Sequence, residues 1–308
     1  MNRLQLVNRL KLEAGVSGND LTSTIAQTGE SARLVTWIDS AWYDIQGQHE
    51  DWQWMRKTAT FPTVSGVPVY SISRIGLADF GNWARDSFRN YANPAVTVDI
   101  ASPGLVNLTG NNLNIGDTFA LFTTGALPTG ITAGTNYYVL TTGDSFTFSA
   151  TAGGVAINTT GTQSGEHSIT SSNALTFSGF RSEIMMDYME YESWRNNYEF
   201  GSLRQTQSRP FGITITPDKS IGLYPFPING YTVLGDYFAV PSNMTLDADI
   251  PSLPVQYHMA IVYRALMFYA VYESAGEVFS YAQMEFDRIM RRVSRTNLPE
   301  VFGGSALA

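Results

Sequence analysis

Three carboxylates that lie close together in the chain are the side chains best able to do chemistry. Asp187, Glu190 and Glu192 stand among tyrosines and a tryptophan in the stretch EIMMDYMEYESWRNNY, residues 183–198. Two carboxyl groups at a working separation can hydrolyse a glycosidic bond. Aromatic residues are also enriched at protein interfaces, however, and sequence spacing alone does not set the distance between two carboxyls. We therefore favour an interface here and keep a carbohydrate-binding or depolymerising site as the alternative.

A basic cluster followed by apolar residues forms the second candidate site. Arginines recur with helical spacing near the end of the chain, and a tail with a few apolar residues follows them. The arginines could bind phosphates, but the cluster lacks aromatic stacking residues and the net charge is -8. Nucleic acid is expected to bind a basic face, so docking onto an acidic partner or helix capping is favoured. The predicted docking residues are Arg288, Arg291, Arg292, Arg295, Leu298, Val301 and Phe302.

The common signatures of enzymes and metal sites are absent from the sequence. His49, His167 and His258 lie on three different predicted elements, without HExxH spacing, whereas structural zinc normally needs four ligands. There is no G-x-S-x-G elbow and no G-x-x-x-x-G-K-[ST] phosphate loop. Cysteine is also absent, which excludes disulfides and thiolate metal sites. We therefore expect no catalytic residue, no bound metal and no cofactor.

The composition indicates a protein whose surface contacts other proteins. Charged residues make up 15% of the 308 residues, against about a quarter in typical proteins, so few like charges keep neighbouring molecules apart. The first residues, MNRLQLVNRLKLEAGVSG, lack the uncharged centre of a secretory signal. The chain is therefore expected to stay in the cytoplasm in which it is made.

Helical periodicity is strongest towards the two ends of the chain. A short amphipathic helix is predicted over Leu4–Leu12, and a long helix with one wide apolar face is predicted from Ala32 to Met55. Two of the four tryptophans in this long helix fall on the apolar stripe and two fall off it, which indicates a second contact surface.

The stretch Leu253–Arg295 is predicted to be helical, with a break or kink at Gly276. Its first half is apolar on every side, because Arg264 is the only charged residue from Ala260 to Tyr272. About 20 apolar residues are needed to cross a bilayer, so burial in a core or between subunits is favoured over a membrane span. The residues predicted for the core or an inter-subunit contact are Trp37, Trp42, Trp52, Trp54, Tyr263, Arg264 and Phe268.

Strand patterns occupy the middle of the chain. No lysine or arginine occurs between Asn90 and Phe180, and short strand-like runs separated by glycine-rich turns predict a small β sandwich or barrel there. A hairpin is predicted from Phe211–Thr216 and Ser220–Tyr224, with a further strand over Tyr231–Val240. The strands predicted within the charge-poor region are Val96–Ile100, Thr118–Phe122, Asn136–Leu140, Ser145–Ser149 and His167–Thr170.

These patterns together predict an α+β protein. Long helices near both ends are expected to form a core with an antiparallel hairpin and sheet region, into which a small all-β domain is inserted. The predicted bounds are 1–101 and 173–308 for the discontinuous core, 102–172 for the insert and 296–308 for an extended tail.

The order of these elements resembles that of the head-to-tail adaptor proteins of tailed bacteriophages, also called head-completion or connector proteins. The resemblance covers Ser31–Met55 and Tyr188–Arg295 and leaves the insert outside. It rests on the segments RLVTWIDSAWYDIQ, DWQWM, ESWR, ITITPDKSIGLYPFP, YTVLGDYFAVP and LPVQYHMAIVYRALMFYAVYE.

The resemblance implies a structural protein of the virion neck, assembled in the host cytoplasm. About twelve copies would form a closed ring that binds the portal protein above through the predicted docking residues and tail, nozzle or terminator proteins below. Viral DNA would pass through the channel without specific contacts, and no membrane is involved. The alternatives are another neck or tail protein, such as a tail-completion or tube protein, and a carbohydrate-binding or depolymerising tail protein.

Overall fold

The computed structural model describes residues 1–171, 183–228 and 230–298. The protein is of mixed α+β class, as the sequence predicts, with six α-helices in those residues and sheets that are mainly antiparallel. It divides into two compact units. The helical unit comprises Met1–Lys57, Asp79–Asn82 and the chain from Phe238 onward, and the β unit comprises Thr58–Ala78 and Trp83–Tyr237.

The helices and strands follow one another in blocks along the chain. The helices are α1 (Arg3–Glu13), α2 (Gly29–Gly47), α3 (Ile72–Ile75), α4 (Tyr191–Trp194), α5 (Met259–Tyr272) and α6 (Gly276–Asn297). The strands are β1 (Arg56–Pro62), β2 (Val69–Tyr70), β3 (Phe80–Trp83), β4 (Arg89–Ala92), β5 (Ala95–Asp99), β6 (Leu105–Asn107), β7 (Thr118–Thr123), β8 (Asn136–Val139), β9 (Ser145–Phe146), β10 (Phe148–Ser149), β11 (His167–Ser171), β12 (Ile184–Met185), β13 (Asp187–Tyr188), β14 (Gln207–Ser208), β15 (Gly212–Ile215), β16 (Ile221–Tyr224), β17 (Phe226–Pro227) and β18 (Tyr231–Ala239).

The core of the helical unit surrounds α5. Helices α1, α2 and α6 all pack against α5, and this explains why α5 can be apolar on nearly every side. Its fully buried residues include Ala260, Ile261 and Val262 on one turn and Ala265 and Leu266 on the next. Among the described residues, no helix is both long enough and apolar enough to cross a membrane.

The predicted helix from Ala32 to Met55 is wrong in its last part. Helix α2 ends at Gly47, and only a 3-10 turn follows at Gln53–Met55. The indole N–H of Trp52 donates a 3.1 Å hydrogen bond to the carbonyl of Ile45 in the last turn of α2. That carbonyl also accepts a 3.4 Å hydrogen bond from the Gln48 N–H, so the returning chain adds a second donor at the end of α2 while it buries Trp52. The helical spacing of Trp52 and Met55 therefore reflects burial in the same core and not a continuous helix.

The long C-terminal stretch consists of two separate helices, which confirms the predicted break. The chain leaves α5 after Tyr272, and Ser274 adopts a left-handed conformation with a φ of 57°. Helix α6 then begins at Gly276. A connection of three residues between two packed helices makes a helical hairpin.

The described strands form sheets of seven, five, four and two strands. The orders are β10-β8-β7-β11-β5-β6-β9, then β1-β18-β4-β12 with β3 also paired to β18, then β13-β15-β16-β2, and β14-β17. The predicted hairpin is confirmed by the antiparallel pair β15 and β16, whose register places Ile213 opposite Leu223. Strand β2 is short, because Ser71 directly after it caps the N-terminus of α3 by accepting a hydrogen bond from the Arg74 N–H.

The seven-stranded sheet closes on itself. Its two end strands, β9 and β10, belong to one extended stretch interrupted only at Thr147. Strand β9 pairs with β6, while β10 pairs with β8. Closure removes the free edges of a sheet, and Phe119, Phe146 and Phe148 fill the interior with edge-to-face ring contacts. The charge-poor segment therefore forms a small closed β barrel.

The five strands predicted in the charge-poor segment are confirmed, while β6 is an additional strand that was not predicted. Strand β5 ends before residue 102 and is hydrogen-bonded into the barrel through β6 and β11. The insert bounds of 102–172 stay a prediction. At the other end, Thr296 and Asn297, which were predicted to begin the extended tail, belong to α6. Residues 299–308 lie outside the described part of the chain.

Candidate functional site

Helices α5 and α6 run antiparallel and hold the predicted docking arginines. The Tyr263 and Tyr281 rings meet edge to face with their centroids 6.0 Å apart. Further along the pair, the hydroxyls of Tyr257 and Thr296 lie 3.2 Å apart. Burial, together with the nearby Tyr281 hydroxyl, raises the pKa of Tyr263 to about 12, so this ring is neutral at physiological pH. The hairpin thus gives α6 a fixed orientation on the helical core.

Helix α6 has one buried face and one exposed face. Ala282, Phe286, Ile289, Met290 and Val293 are buried in the helical core. The four arginines predicted for docking all project from the opposite side and are exposed. The side chains of the arginine face are Arg288, Arg291, Arg292 and Arg295.

The ion pairing of the four arginines differs along the helix. Arg288 binds the carboxylate of Glu285, one turn earlier, and this contact raises its pKa. The Nε–H of Arg291 donates 3.3 Å to the backbone carbonyl of Asp287. Within residues 1–171, 183–228 and 230–298, no carboxylate forms an ion pair with Arg291, Arg292 or Arg295. The C-terminal half of the arginine face therefore carries positive charge that can bind an acidic partner.

Among the apolar residues predicted for docking, Leu298 is described by the structure and does not share this face. Leu298 is partly buried against the helical core, so it anchors the end of α6. Val301 and Phe302 lie outside the described residues. Two exposed apolar residues of α6 that the sequence analysis missed are Tyr281 and Met284. Tyr281 lies seven residues before Arg288 and Met284 seven before Arg291, and this helical spacing was the signal that could have found them.

The residues predicted for a core or inter-subunit role are divided between the interior and the surface of the helical unit. Trp42 and Trp52 are buried, and Trp54 stacks on Trp52 with centroids 4.2 Å apart. Trp37 is partly exposed and contacts Tyr269 and Tyr272 on α5 at 5.9 and 5.7 Å. The helical unit therefore has an aromatic surface patch beside Trp37, where Tyr272 is half exposed.

Arg264, the charge within the apolar helix, connects three helices. Its guanidinium donates hydrogen bonds of 2.8 and 3.2 Å to one carboxylate oxygen of Asp44 on α2. It also lies 4.9 Å from the Phe268 ring centroid and 5.9 Å from that of Phe286 on α6. Tyr263 and Phe268 are partly buried against the same core. The charge is thus paired and covered by rings, which accounts for its place in an apolar segment.

An open groove of about 350 Å³ runs along the outer side of α2. Both of its carboxylates are already engaged, since Asp39 binds Arg3 and Asp44 binds Arg264. The groove is lined by Thr36, Asp39, Ser40, Tyr43, Asp44 and Asn243.

The acidic and aromatic cluster does not have the arrangement expected of a carbohydrate cleft. Asp187 lies on β13, while Glu190 and Glu192 lie at the start of α4, and all three are exposed. Trp194, which the sequence placed beside them, is instead buried, and its indole N–H donates 3.3 Å to the Leu223 carbonyl. The tryptophan therefore stabilises the β unit and offers no face to a sugar.

The three histidines lie on different elements of the structure and have different neighbours. His49 is exposed beside Trp52, and His167 contacts Thr123 and Gln163 in the barrel. Among the described residues, no group of three or more histidine or carboxylate side chains is placed to hold a metal ion.

Acidification is expected to weaken the helical unit through His258. Burial lowers the pKa of its imidazole below the ordinary value of 6.5, and its Nε2 lies 2.8 Å from the Leu253 carbonyl while Nδ1 lies 2.7 Å from the Met1 amino group. A neutral ring satisfies both contacts. The unfolded histidine takes up a proton below about pH 6.5 while the folded one does not, so the free energy of unfolding falls as pH drops through this value. Urea unfolding followed by circular dichroism at several pH values measures this slope.

The matched controls separate His258 from the other titrating groups. His258→Gln is expected to remove part of the pH dependence below about pH 6.5. His49→Gln makes the same substitution at an exposed position and serves as the control for the change of side chain. Equal slopes for wild type and His258→Gln would contradict the prediction.

Comparison with known proteins found one matching family. A family model described as SU10 adaptor protein matches residues 131–303, more than half of the chain. The matched range includes the hairpin β15–β16, α5 and α6, and also the later strands of the barrel, which the resemblance had left outside. No curated protein matches the chain at the significance required.

Proposed function

Because the chain belongs to the SU10 adaptor protein family, and is therefore an adaptor-type structural component of a phage virion, we propose that it forms a ring between head and tail. About twelve copies close the ring, the portal protein lies above it, and tail, nozzle or terminator proteins lie below. Viral DNA passes through the channel. The protein works in the virion neck after assembly in the host cytoplasm, and its role is structural and not catalytic.

The helical unit is the adaptor core in this proposal. Helices near both ends of the chain share one apolar core, and in this proposal the partly exposed aromatic residues at its surface contact a neighbouring copy. Aromatic and arginine side chains are those most enriched at the centres of interfaces. The residues that we assign to the core and its contacts are Trp37, Trp42, Trp52, Trp54, Tyr263, Arg264 and Phe268.

The observation that carries the docking part of the proposal is the arginine face of α6. Three of its four arginines have no carboxylate partner within the described residues, so they are available to an acidic surface of the portal. The chain as a whole carries a net charge of -8, which suits a channel that DNA must leave without binding. The docking residues are Arg288, Arg291, Arg292, Arg295, Leu298, Val301 and Phe302.

Removing two arginines from α6 is expected to weaken portal binding and leave the fold intact. Arg291→Ala with Arg292→Ala changes exposed side chains, so the free energy of unfolding should change by less than about 0.5 kcal/mol. Binding to purified portal rings, measured by cosedimentation, should weaken by about tenfold or more at low salt. Arg264→Ala should instead cost about 1–3 kcal/mol of stability, because it removes the packing of the Arg264 side chain on the Phe268 and Phe286 rings together with its ion pair to Asp44.

Two further measurements complete this test. Arg74→Ala with Arg204→Ala removes the same charge from exposed positions of the β unit and should retain portal binding. Native mass spectrometry of the wild-type protein should show a large cyclic assembly. A stable monomer that never binds a portal would contradict the proposed function, and a trimer or hexamer would indicate a tail-completion or tube protein instead.

A further inference from the structure

The exposed face of α6 extends beyond the arginines. Tyr281 and Met284 are 47% and 57% exposed, and neither contributes to the buried side of the helix. At 100° per residue these two side chains and the four arginines fall within a sector of roughly 100°. The sector lies almost opposite the buried face. We call this the α6 stripe, which consists of Tyr281, Met284, Arg288, Arg291, Arg292 and Arg295.

The α6 stripe changes its chemistry along its length. Its first turn is apolar, with Tyr281 and Met284, and its later turns are basic. From Tyr281 to Arg295 it spans about 21 Å at the rise of an α-helix. The position of each residue follows the i, i+3, i+7 spacing by which a helix presents anchors to a groove.

The apolar end of the stripe is held in position before any partner binds. The Tyr281 ring packs edge to face on Tyr263, at an interplanar angle of 88°. A side chain that is already ordered loses less entropy on binding. The Met284 side chain is more than half exposed, and its unbranched thioether adapts to irregular apolar surfaces. The pair therefore combines one fixed and one adaptable anchor.

The basic end is also organised by the helix itself. Glu285 lies at the edge of the stripe, with its side chain only 17% exposed, and it pairs with Arg288. This leaves the positive charge concentrated on Arg291, Arg292 and Arg295, which have no ion-pair partner in the part of the chain that the structure describes. A complementary surface must supply carboxylates at this end and apolar contact at the other.

We propose that the α6 stripe lies in a groove of the portal, with Tyr281 and Met284 on an apolar floor and Arg291, Arg292 and Arg295 facing carboxylates. This inference rests on the proposed function and deepens it. It adds to the docking site one face of α6, including the two apolar residues Tyr281 and Met284. The stripe leads in the chain directly into Leu298, Val301 and Phe302, which favours one partner for both. A groove that binds a helix can contact both its apolar anchors and its charged side chains.

The two ends of the stripe have different physical roles. The apolar anchors stabilise the bound complex by removing apolar surface from water, which depends little on ionic strength. The arginines contribute through charge, and their effect is screened as salt concentration rises. The salt dependence of binding therefore distinguishes the two ends.

The experiment compares two double variants for binding to purified portal rings at about 0.05 M and about 0.3 M salt. Tyr281→Ala with Met284→Ala should weaken binding by about tenfold at both salt concentrations. Arg292→Ala with Arg295→Ala should weaken it mainly at low salt and flatten the salt dependence. Leu12→Ala with Val255→Ala removes two apolar residues elsewhere in the helical unit that are even more exposed, and it should retain wild-type binding. Thermal unfolding of each variant confirms that the fold is retained.

The outcomes separate this inference from the proposed function. If the apolar double variant binds like wild type while Arg291→Ala with Arg292→Ala still weakens binding, the groove is excluded and portal docking stands. If the wild-type protein does not bind the portal at all, the proposed function fails. If the apolar double variant alters the mass of the ring but not portal binding, the stripe contacts a second copy of this chain, and the inference is overturned.

Discussion

Alanine in place of Trp52 is expected to lower the free energy of unfolding of the helical unit by about 3–5 kcal/mol. The Trp52 ring is completely buried, stacks on Trp54 and contacts His49. Its indole N–H also donates to the carbonyl of Ile45 at the end of α2. Removing the ring therefore creates a cavity and also removes the shorter of the hydrogen bonds that the Ile45 carbonyl accepts, since the Gln48 N–H lies 3.4 Å away. Chemical denaturation followed at 222 nm, where the helices dominate the circular dichroism, measures the loss.

The neighbouring tryptophan supplies a matched control for the hydrogen bond. Trp54 is partly buried in the same stack, but its indole nitrogen is buried without a hydrogen-bond partner among the described residues. Trp54→Phe removes an unsatisfied donor, so its cost should stay below about 1 kcal/mol. Trp52→Phe removes a satisfied donor and should cost at least about 1 kcal/mol more than Trp54→Phe. Equal costs would show that the hydrogen bond to Ile45 does not stabilise the fold.

Replacing Arg3 with methionine is expected to cost about 3 kcal/mol, close to the cost of breaking a buried ion pair. The Arg3 side chain is only 10% exposed and binds both carboxylate oxygens of Asp39, at 2.6 and 3.0 Å. It also donates 2.9 Å hydrogen bonds to the hydroxyl of Thr24 and to the carbonyl of Thr245. The hydrogen bond to Asp39 raises the pKa of Arg3, so the guanidinium stays charged at any relevant pH. Denaturation of Arg3→Met and wild type under the same conditions measures the difference.

A double-mutant cycle shows how much of this cost belongs to the pair. Asp39→Leu leaves the guanidinium without its carboxylate, whereas Arg3→Met with Asp39→Leu removes both charges. Because the double variant leaves no unpaired charge, it should be more stable than the sum of the single costs predicts, by about 1–3 kcal/mol. Arg9→Ala, which breaks the more exposed pair between Arg9 and Glu13, should cost less than about 1 kcal/mol. Additive costs at Arg3 and Asp39 would contradict a coupled buried pair.

Much of the barrel could be predicted because its strands follow local rules. Alternating apolar residues and glycine-rich turns marked strands β5, β7, β8 and β11 close to their observed bounds. Its closure could not be predicted in the same way. The continuous run Ser145–Ser149 pairs with β6 through its first residues and with β8 through its last, and this depends on segments about 40 and 10 residues away in sequence.

The helical unit shows a different limit. The apolar run of α5 and its break before Gly276 follow from composition and turn chemistry. The end of α2 at Gly47 does not, because Trp52 and Met55 continue the helical spacing although the chain has already turned back. Arg264 could be recognised as an unusual charge, but Asp44 lies 220 residues earlier in the chain, and only the packing of α2 on α5 brings the two together.

The sequence alone determined the mixed α+β class, the strands of the barrel, the nearly uncharged helix α5 and the four arginines with helical spacing. Each of these depends on residue types within a few turns or a single strand. Only the tertiary structure decided which side of each element is covered. It placed Trp194 in the interior and away from the carboxylates, paired Arg264 with Asp44 on another helix, and left Tyr281 and Met284 exposed on the face of α6 that carries the arginines. Burial depends on contacts between distant segments of the chain. Periodicity predicts that a helix or strand has an apolar face, but it does not identify the element that packs against that face.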